Sequence, residues 1–190
     1  KPVKRNYYHV QGNYPVSKKG YTQVEIAVSQ TDLNTQSSVD DKDNAGVAYN
    51  FGLGWEKITL FQGLSFDFDS KHWRRDRYFH SIQNNHDIGF YSKWNVVELS
   101  EGFEQLTEGT LTLNFHKAGF LKTNLAEYEN SNSVKQRFLT ESEFSFKYIP
   151  ELKSNLNVVR SPSENFYSSN NQLVFLSGDF HPFGEIGLEG

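Results

Sequence analysis

Cysteine and methionine are both missing from this sequence, and proline is scarce, with five residues in 190. Without cysteine there is no disulfide, no thiolate nucleophile and no cysteine-ligated zinc site. Long apolar runs are missing too. No stretch approaches the ~18 consecutive apolar residues that a spanning helix requires, so a chain of this kind crosses a bilayer only with strands. Charge of one sign does not dominate: the net charge is −4, with acidic and basic residues interspersed. That distribution argues against a nucleic-acid surface as the main function. Serine nucleophile elbows, Walker loops and dinucleotide fingerprints do not occur, and these residues include no signal peptide.

What the sequence has instead is aromatic residues, 15% of the total, with 16 Phe and 10 Tyr against a hydrophobic content of only 36%. Aromatic and β-branched side chains fill a pleated surface well, so the mixture favours strands over helices. Period-two alternation supports this. From Val47 to Trp55, the residues Val47, Tyr49, Phe51, Leu53 and Trp55 share one face, while Ala48, Asn50, Gly52 and Gly54 share the other. The same pattern recurs in Leu60 to Phe68, Ile88 to Val96, Leu111 to Phe115 and Phe138 to Tyr148. It is weaker in Tyr8 to Tyr14, Val24 to Val28, Leu156 to Val158, Leu173 to Phe175 and Ile186 to Leu188. A strand sends successive side chains to opposite faces, so these segments predict a sheet with one apolar and one polar or small side. Only Glu98 to Leu106 is a candidate helix.

Linkers then suggest a topology. Short connections at Pro15 to Gly20, Glu56 to Lys57, Pro150 to Lys153 and His181 to Phe183 alternate with long ones at Gln30 to Ala45, Asp69 to His86, Glu127 to Gln136 and Ser161 to Asn171, with a medium one at Val97 to Gly109 in the place of a short one. The alternation requires Thr110 to Ala126 to be one strand, bulged near Lys117-Ala118-Gly119. Tight turns at one rim and long loops at the other predict an all-β, antiparallel up-and-down meander of about ten strands, an outer-membrane β-barrel or part of one. Residues 1–190 form a single β-rich domain or a segment of a larger barrel. The start at Lys1 and the soft end Gly187-Leu188-Glu189-Gly190 carry the expectation of a fragment or mature segment.

Candidate chemistry is thin. The basic and aromatic run Lys71-His72-Trp73-Arg74-Arg75-Asp76-Arg77-Tyr78 supplies candidate ligand-binding residues Trp73, Arg74, Arg75, Arg77 and Tyr78, since guanidinium forks hold anions and rings hold flat faces. The competing expectation is that these arginines pair with Asp67, Asp69 and Asp76 to stiffen a loop. Asp40, Asp41 and Asp43 invite calcium, which wants clustered oxygen ligands. Their register misses the twelve-residue calcium loop, because Ala45 falls at position five and no Glu at twelve, which favours a solvated acidic loop. Six histidines show no ligand spacing. Glu141 and Glu143 share a strand face, as alternating charge does without any catalytic purpose. Trp55, Trp73 and Trp94 are candidates for an interfacial belt or for ordinary core positions.

The stretch Val24-Glu25-Ile26-Ala27-Val28-Ser29-Gln30-Thr31-Asp32-Leu33-Asn34-Thr35, followed by Ser37-Ser38-Val39-Asp40-Asp41-Lys42-Asp43-Asn44-Ala45-Gly46-Val47-Ala48, resembles large outer-membrane β-barrel proteins of the Bacteroidetes. Phe66 to Asn95, with Trp73-Arg74-Arg75-Asp76-Arg77-Tyr78 at its centre and Lys93-Trp94-Asn95 at its close, is similar to them as well. The resemblance covers about the first half of the chain. It implies a longer parent polypeptide in a Gram-negative outer membrane and a structural or transport role in an envelope protein complex. Outer-membrane lipid and other envelope proteins are the implied partners. It carries over no catalytic residue and no cofactor. The competing expectation is a secreted or cell-surface carbohydrate-binding β-sandwich that uses Trp73, Tyr78 and Tyr167 as sugar platforms.

Overall fold

The computed structural model describes residues 4–32, 45–80, 90–94, 96, 102–146, 149–162 and 166–170. Alternating sequence becomes strand almost throughout: β1 (Lys4–Ser17), β2 (Gly20–Asp32), β3 (Ala45–Phe61), β4 (Leu64–Arg75), β5 (Glu104–Phe115), β6 (Gly119–Asn130), β7 (Val134–Phe146), β8 (Ile149–Ser161) and β9 (Phe166–Asn170). All nine pair antiparallel with their sequence neighbours in one sheet, an up-and-down meander. The sheet is open, with β1 and β9 at its edges and no barrel closure among the described residues. Leu173 to Phe175, Ile186 to Leu188 and the acidic loop with Asp40, Asp41 and Asp43 lie outside them.

One rim is tight. Residues 18–19, 62–63, 116–118 and 147–148 connect the strands there. The opposite rim carries the connections 33–44 and 76–103, but β6 and β7 meet there through 131–133 alone, and β9 (Phe166–Asn170) lies inside the long connection expected from Ser161 to Asn171. The long loop expected from Glu127 to Gln136 is therefore a turn. Asn130 Oδ1 accepts hydrogen bonds from the backbone N–H groups of Asn132 (2.9 Å) and Ser133 (2.8 Å), so a side chain does the work of a longer loop.

Three other expectations are corrected. Thr110 to Ala126 is a hairpin, with Lys117 at φ 70° and Gly119 at φ 135°. A Cβ on Gly119 would fall 1.9 Å from the Glu143 carbonyl oxygen, so only glycine fits. Glu56-Lys57 is a bulge inside β3. The register steps from Trp55↔Phe68 to Ile58↔Phe66, and Lys57 takes φ 51°. The extra residue shifts the apolar phase from odd to even positions and keeps Trp55 and Ile58 on one face. Finally, Phe90 to Trp94 forms a short helix, α1, where Ile88 to Val96 read as a strand, while β5 begins at Glu104 inside the candidate helix Glu98 to Leu106.

The two faces of the sheet differ in how much large apolar surface they carry, although the apolar face also holds side-chain hydrogen bonds, His72 with Thr107 (2.8 Å) and Gln136 Nε2 to Glu127 Oε2 (2.8 Å). Cross-strand registers place Val10, Ile26 and Tyr49 in one rung, and Leu125, Phe138 and Val158 in another, on the same face. That face is exposed: Val10 is 73% accessible, Leu125 60% and Leu60 54%. Among the described residues each strand packs on its ladder neighbours, and no second sheet covers the rings. The opposite face is hydrogen-bonded, through His9 to Glu25 (2.9 Å), Asn114 to Asp67 (2.7 Å), Asn124 to Thr110 (2.9 Å) and Arg137 to Asn124 (3.2 Å). The small buried core lies on this polar side.

At the tight rim, aromatic rings lie over glycine backbone on both faces. Trp55 covers Gly20 and Tyr21 covers Gly54, each across a paired rung. Tyr21 then donates its hydroxyl to Asp69 Oδ2. A Cβ at Gly54 would meet the Tyr21 ring at 2.5 Å, whereas one at Gly52 would meet nothing nearer than Gln23 Cβ at 3.5 Å. Gly54→Val is therefore expected to cost ~1–3 kcal/mol by overpacking, and Gly52→Val far less. Denaturant midpoints of the two variants check this; equal midpoints would mean the ring yields freely.

Candidate functional site

β4 carries the basic and aromatic cluster, and strand parity splits it. Trp73 and Arg75 face the polar side, and Arg74 faces the apolar side. Arg74 stacks its guanidinium 5.7 Å from the centroid of Phe103, while Arg77, past the strand end, lies 4.7 Å over its own neighbour Tyr78. The five candidate residues do not converge on one point. The expected aspartate pairing differs as well. Asp69 receives Tyr21, Asp67 receives Asn114, Asp76 receives the Arg77 backbone N–H, and Arg75 pairs with Glu104.

Glu104 opens the network that the sequence did not mark. The β4–β5–β6 registers put Arg75, Glu104 and Asn130 in one rung and Trp73, Leu106 and Tyr128 in the next. Glu104 is fully buried. Its Oε2 meets Arg75 Nη2 at 3.1 Å, and its Oε1 accepts the hydroxyls of Tyr128 (3.1 Å) and Tyr91 (3.3 Å). A buried carboxylate needs such donors, because desolvating it unpaired is costly. With Arg75, Tyr128 and Tyr91 all donating to it, this carboxylate clamps β4, β6 and α1 together.

Over this rung sits α1. Trp94 is 1% accessible and packs with Leu106, Ala126 and Tyr128, with Trp73, Phe90 and Val96 around them. Phe90 meets Tyr128 edge to face at 5.4 Å, Trp94 meets Tyr128 at 5.5 Å, and the Arg137 guanidinium lies 5.0 Å over the Trp94 ring. Such geometries add about 0.5–1.5 kcal/mol per pair beyond area burial. Of the three tryptophans, only Trp55 lies on the apolar face.

Other constellations resolve into pairs. Glu141 bridges to Lys122 at 3.4 Å and Glu143 to Lys153 at 3.9 Å, all four half exposed, so each contributes about 0–1 kcal/mol. Among the described residues no cluster of three metal-ligating side chains exists. An open depression of about 620 Å³ on the apolar face is floored by Gly109 and walled by Leu125, Phe138 and Val158, and along one side runs the polar rung Thr107, Glu127, Gln136 and Arg160, in which Gln136 Nε2 donates to Glu127 Oε2 (2.8 Å). No family model, no curated protein and no solved structure matches the chain.

Proposed function

We propose that this chain is a wall segment of a Gram-negative outer-membrane β-barrel, a non-enzymatic structural or transport component of an envelope protein complex. The observation that carries the reading is the inversion of the sheet: its large apolar side chains point outward from a single layer, and its hydrogen-bonded polar face holds the buried core. In water, leaving Val, Ile or Phe uncovered forfeits about 1.5–3 kcal/mol per side chain relative to full burial. Lipid removes that cost. The alternating outward apolar and inward polar positions, and the tight rim of short turns, fit the same architecture. Among the described residues the edges at β1 and β9 are open, and in a bilayer such edges need partner strands, because unpaired backbone groups are not tolerated there.

Arg74 and Arg77, both exposed at the loop rim, are the residues we assign to anionic head groups. The carbohydrate-binding sandwich draws less support, since it needs a second sheet and a free Trp73 ring, and Trp73 packs against Phe90 at 6.3 Å. The side chain of Tyr167 lies outside the described residues.

The test is fractionation of the full polypeptide. It is expected to float with outer-membrane vesicles and to migrate differently on gels before and after boiling. Recovery in a detergent-free soluble fraction, with no heat-dependent shift, would reject the proposal.

A further inference from the structure

The depression on the apolar face exists because one strand position carries no side chain. Gly109 sits in the interior of β5, paired with Ser70 on one side and Leu125 on the other. A Cβ built there would meet nothing within 4 Å among the described residues, and its φ is not in the left-handed region. Neither a turn nor a close contact within the sheet therefore calls for glycine, which weakens a strand interior. A glycine of this kind marks a place where something else approaches the backbone. The space it leaves, walled by Leu125 and Phe138, is about 620 Å³, within the ~300–1,000 Å³ typical of small-molecule sites.

That space is amphipathic along the strands. On its long-loop side the next rung carries Glu127, Gln136 and Arg160 on three consecutive strands, with Gln136 Nε2 donating to Glu127 Oε2 (2.8 Å). Glu127 and Arg160 are both exposed, and with strands ~4.8 Å apart their backbones stand about 10 Å from each other. On its tight-rim side the next rung reads Leu111, Thr123, Thr140 and Leu156. Two short side chains lie there between two exposed leucines, so a shallow trough continues from the depression down the strands.

From this we infer that the depression is a site for one lipid, which lays an acyl chain in the Gly109 notch and a head group bearing both a phosphate and a primary ammonium across the Glu127–Arg160 rung. Charge complementarity selects that head group. The Arg160 guanidinium presents a fork of N–H donors to phosphate, and the carboxylate held by Gln136 accepts from the ammonium. A purely anionic head group would face Glu127 and, one rung nearer the rim, Glu129; a purely cationic one would face Arg160. Like charges brought together are penalised. The trough between Leu111 and Leu156 selects a lipid over a free head group, because only a tail covers it. The inference rests on the reading that this face meets a bilayer, and deepens it by naming one lipid chemistry at one place. The orientation agrees with that reading, with the head group toward the long-loop rim and the tail toward the middle of the exposed apolar band.

The test uses the full polypeptide, purified in detergent and stripped of lipid, with bound lipid counted by native mass spectrometry. Dioleoyl phosphatidylethanolamine is expected to bind about tenfold more tightly than dioleoyl phosphatidylglycerol, which has the same tails and no ammonium. Glycerophosphoethanolamine, the head group without tails, is expected not to bind. Gly109→Leu puts a side chain into open space, so it is expected to keep the heat-dependent gel shift and to lose the tightly bound phosphatidylethanolamine. Glu127→Gln removes the partner of the ammonium and is expected to erase the preference between the two lipids. Equal binding of both lipids by the parent protein, or phosphatidylethanolamine held by Gly109→Leu as firmly as by the parent, would overturn the site and leave the barrel standing. Binding of the bare head group as tight as that of the lipid would overturn the role of the notch. A polypeptide that stays soluble without detergent would overturn the barrel and the site together. Where Gly109→Leu does not assemble, the two lipids on the parent and on Glu127→Gln still decide.

Discussion

Glu104→Ala is expected to lower the stability of the folded chain by about 3–5 kcal/mol, because it strands the largely buried Arg75 guanidinium beside two phenol hydroxyls. The carboxylate is fully buried and meets Arg75 Nη2, Tyr128 Oη and Tyr91 Oη within 3.3 Å. Much of the loss comes from the partner left behind, and that makes the prediction specific. A double replacement, Arg75→Met with Glu104→Leu, removes both charges and keeps apolar volume, so it is expected to cost far less than Glu104→Ala alone. Urea unfolding followed by circular dichroism measures both. A double variant as unstable as the single one would show that the charges themselves, and not their pairing, hold this rim together.

The second large effect is expected at Trp94. Truncating a buried tryptophan to alanine costs about 3–5 kcal/mol, and here the loss falls on a helix too short to survive without its contacts. Trp94→Ala is therefore expected to release α1 locally while the strand ladders persist. Lys93 is exposed on that helix, so trypsin cleavage after it should accelerate by orders of magnitude relative to the parent. Amide exchange in the central rungs of β5 and β6 should change little. A cleavage rate equal to the parent's would mean that the indole is not what holds the segment, and slow cleavage with fast exchange in β5 would place the damage in the sheet.

Much of the fold could be read from alternation alone, since a period of two over Val47 to Trp55 or Leu111 to Phe115 has no helical explanation. The readings that failed share a cause: each depended on a single side chain or backbone angle that composition does not announce. The turn at 116–118 needs a left-handed lysine, the β6–β7 turn needs an asparagine side chain in place of backbone, and the β3 bulge needs one residue outside the pattern. Phe90 and Trp94 stand four apart, a spacing that serves a strand face and a helix face equally well. The basic cluster was visible as a list of residues, but once β4 runs on to Arg75, parity sends Trp73 and Arg75 one way and Arg74 the other. Glu104 was not legible as a buried group. Its partners come from β4, β6 and α1, and only the assembled register shows that they meet.

A meander in which each strand touches only its sequence neighbours behaves as a one-dimensional array, in which disturbance at one end decays rung by rung before reaching the other. The Phe79 and Trp94 seats break that locality. Phe79 braces β1 against β3 through Tyr7 and Gly46, and the Trp94 cluster braces β4 against β6 and β7 through Trp73, Tyr128 and Arg137, so each seat holds together strands that share no ladder. Such cross-bracing turns a zipper that would open in stages into a unit that yields together, and it makes the loop rim, not the tight one, the place where that cooperativity resides.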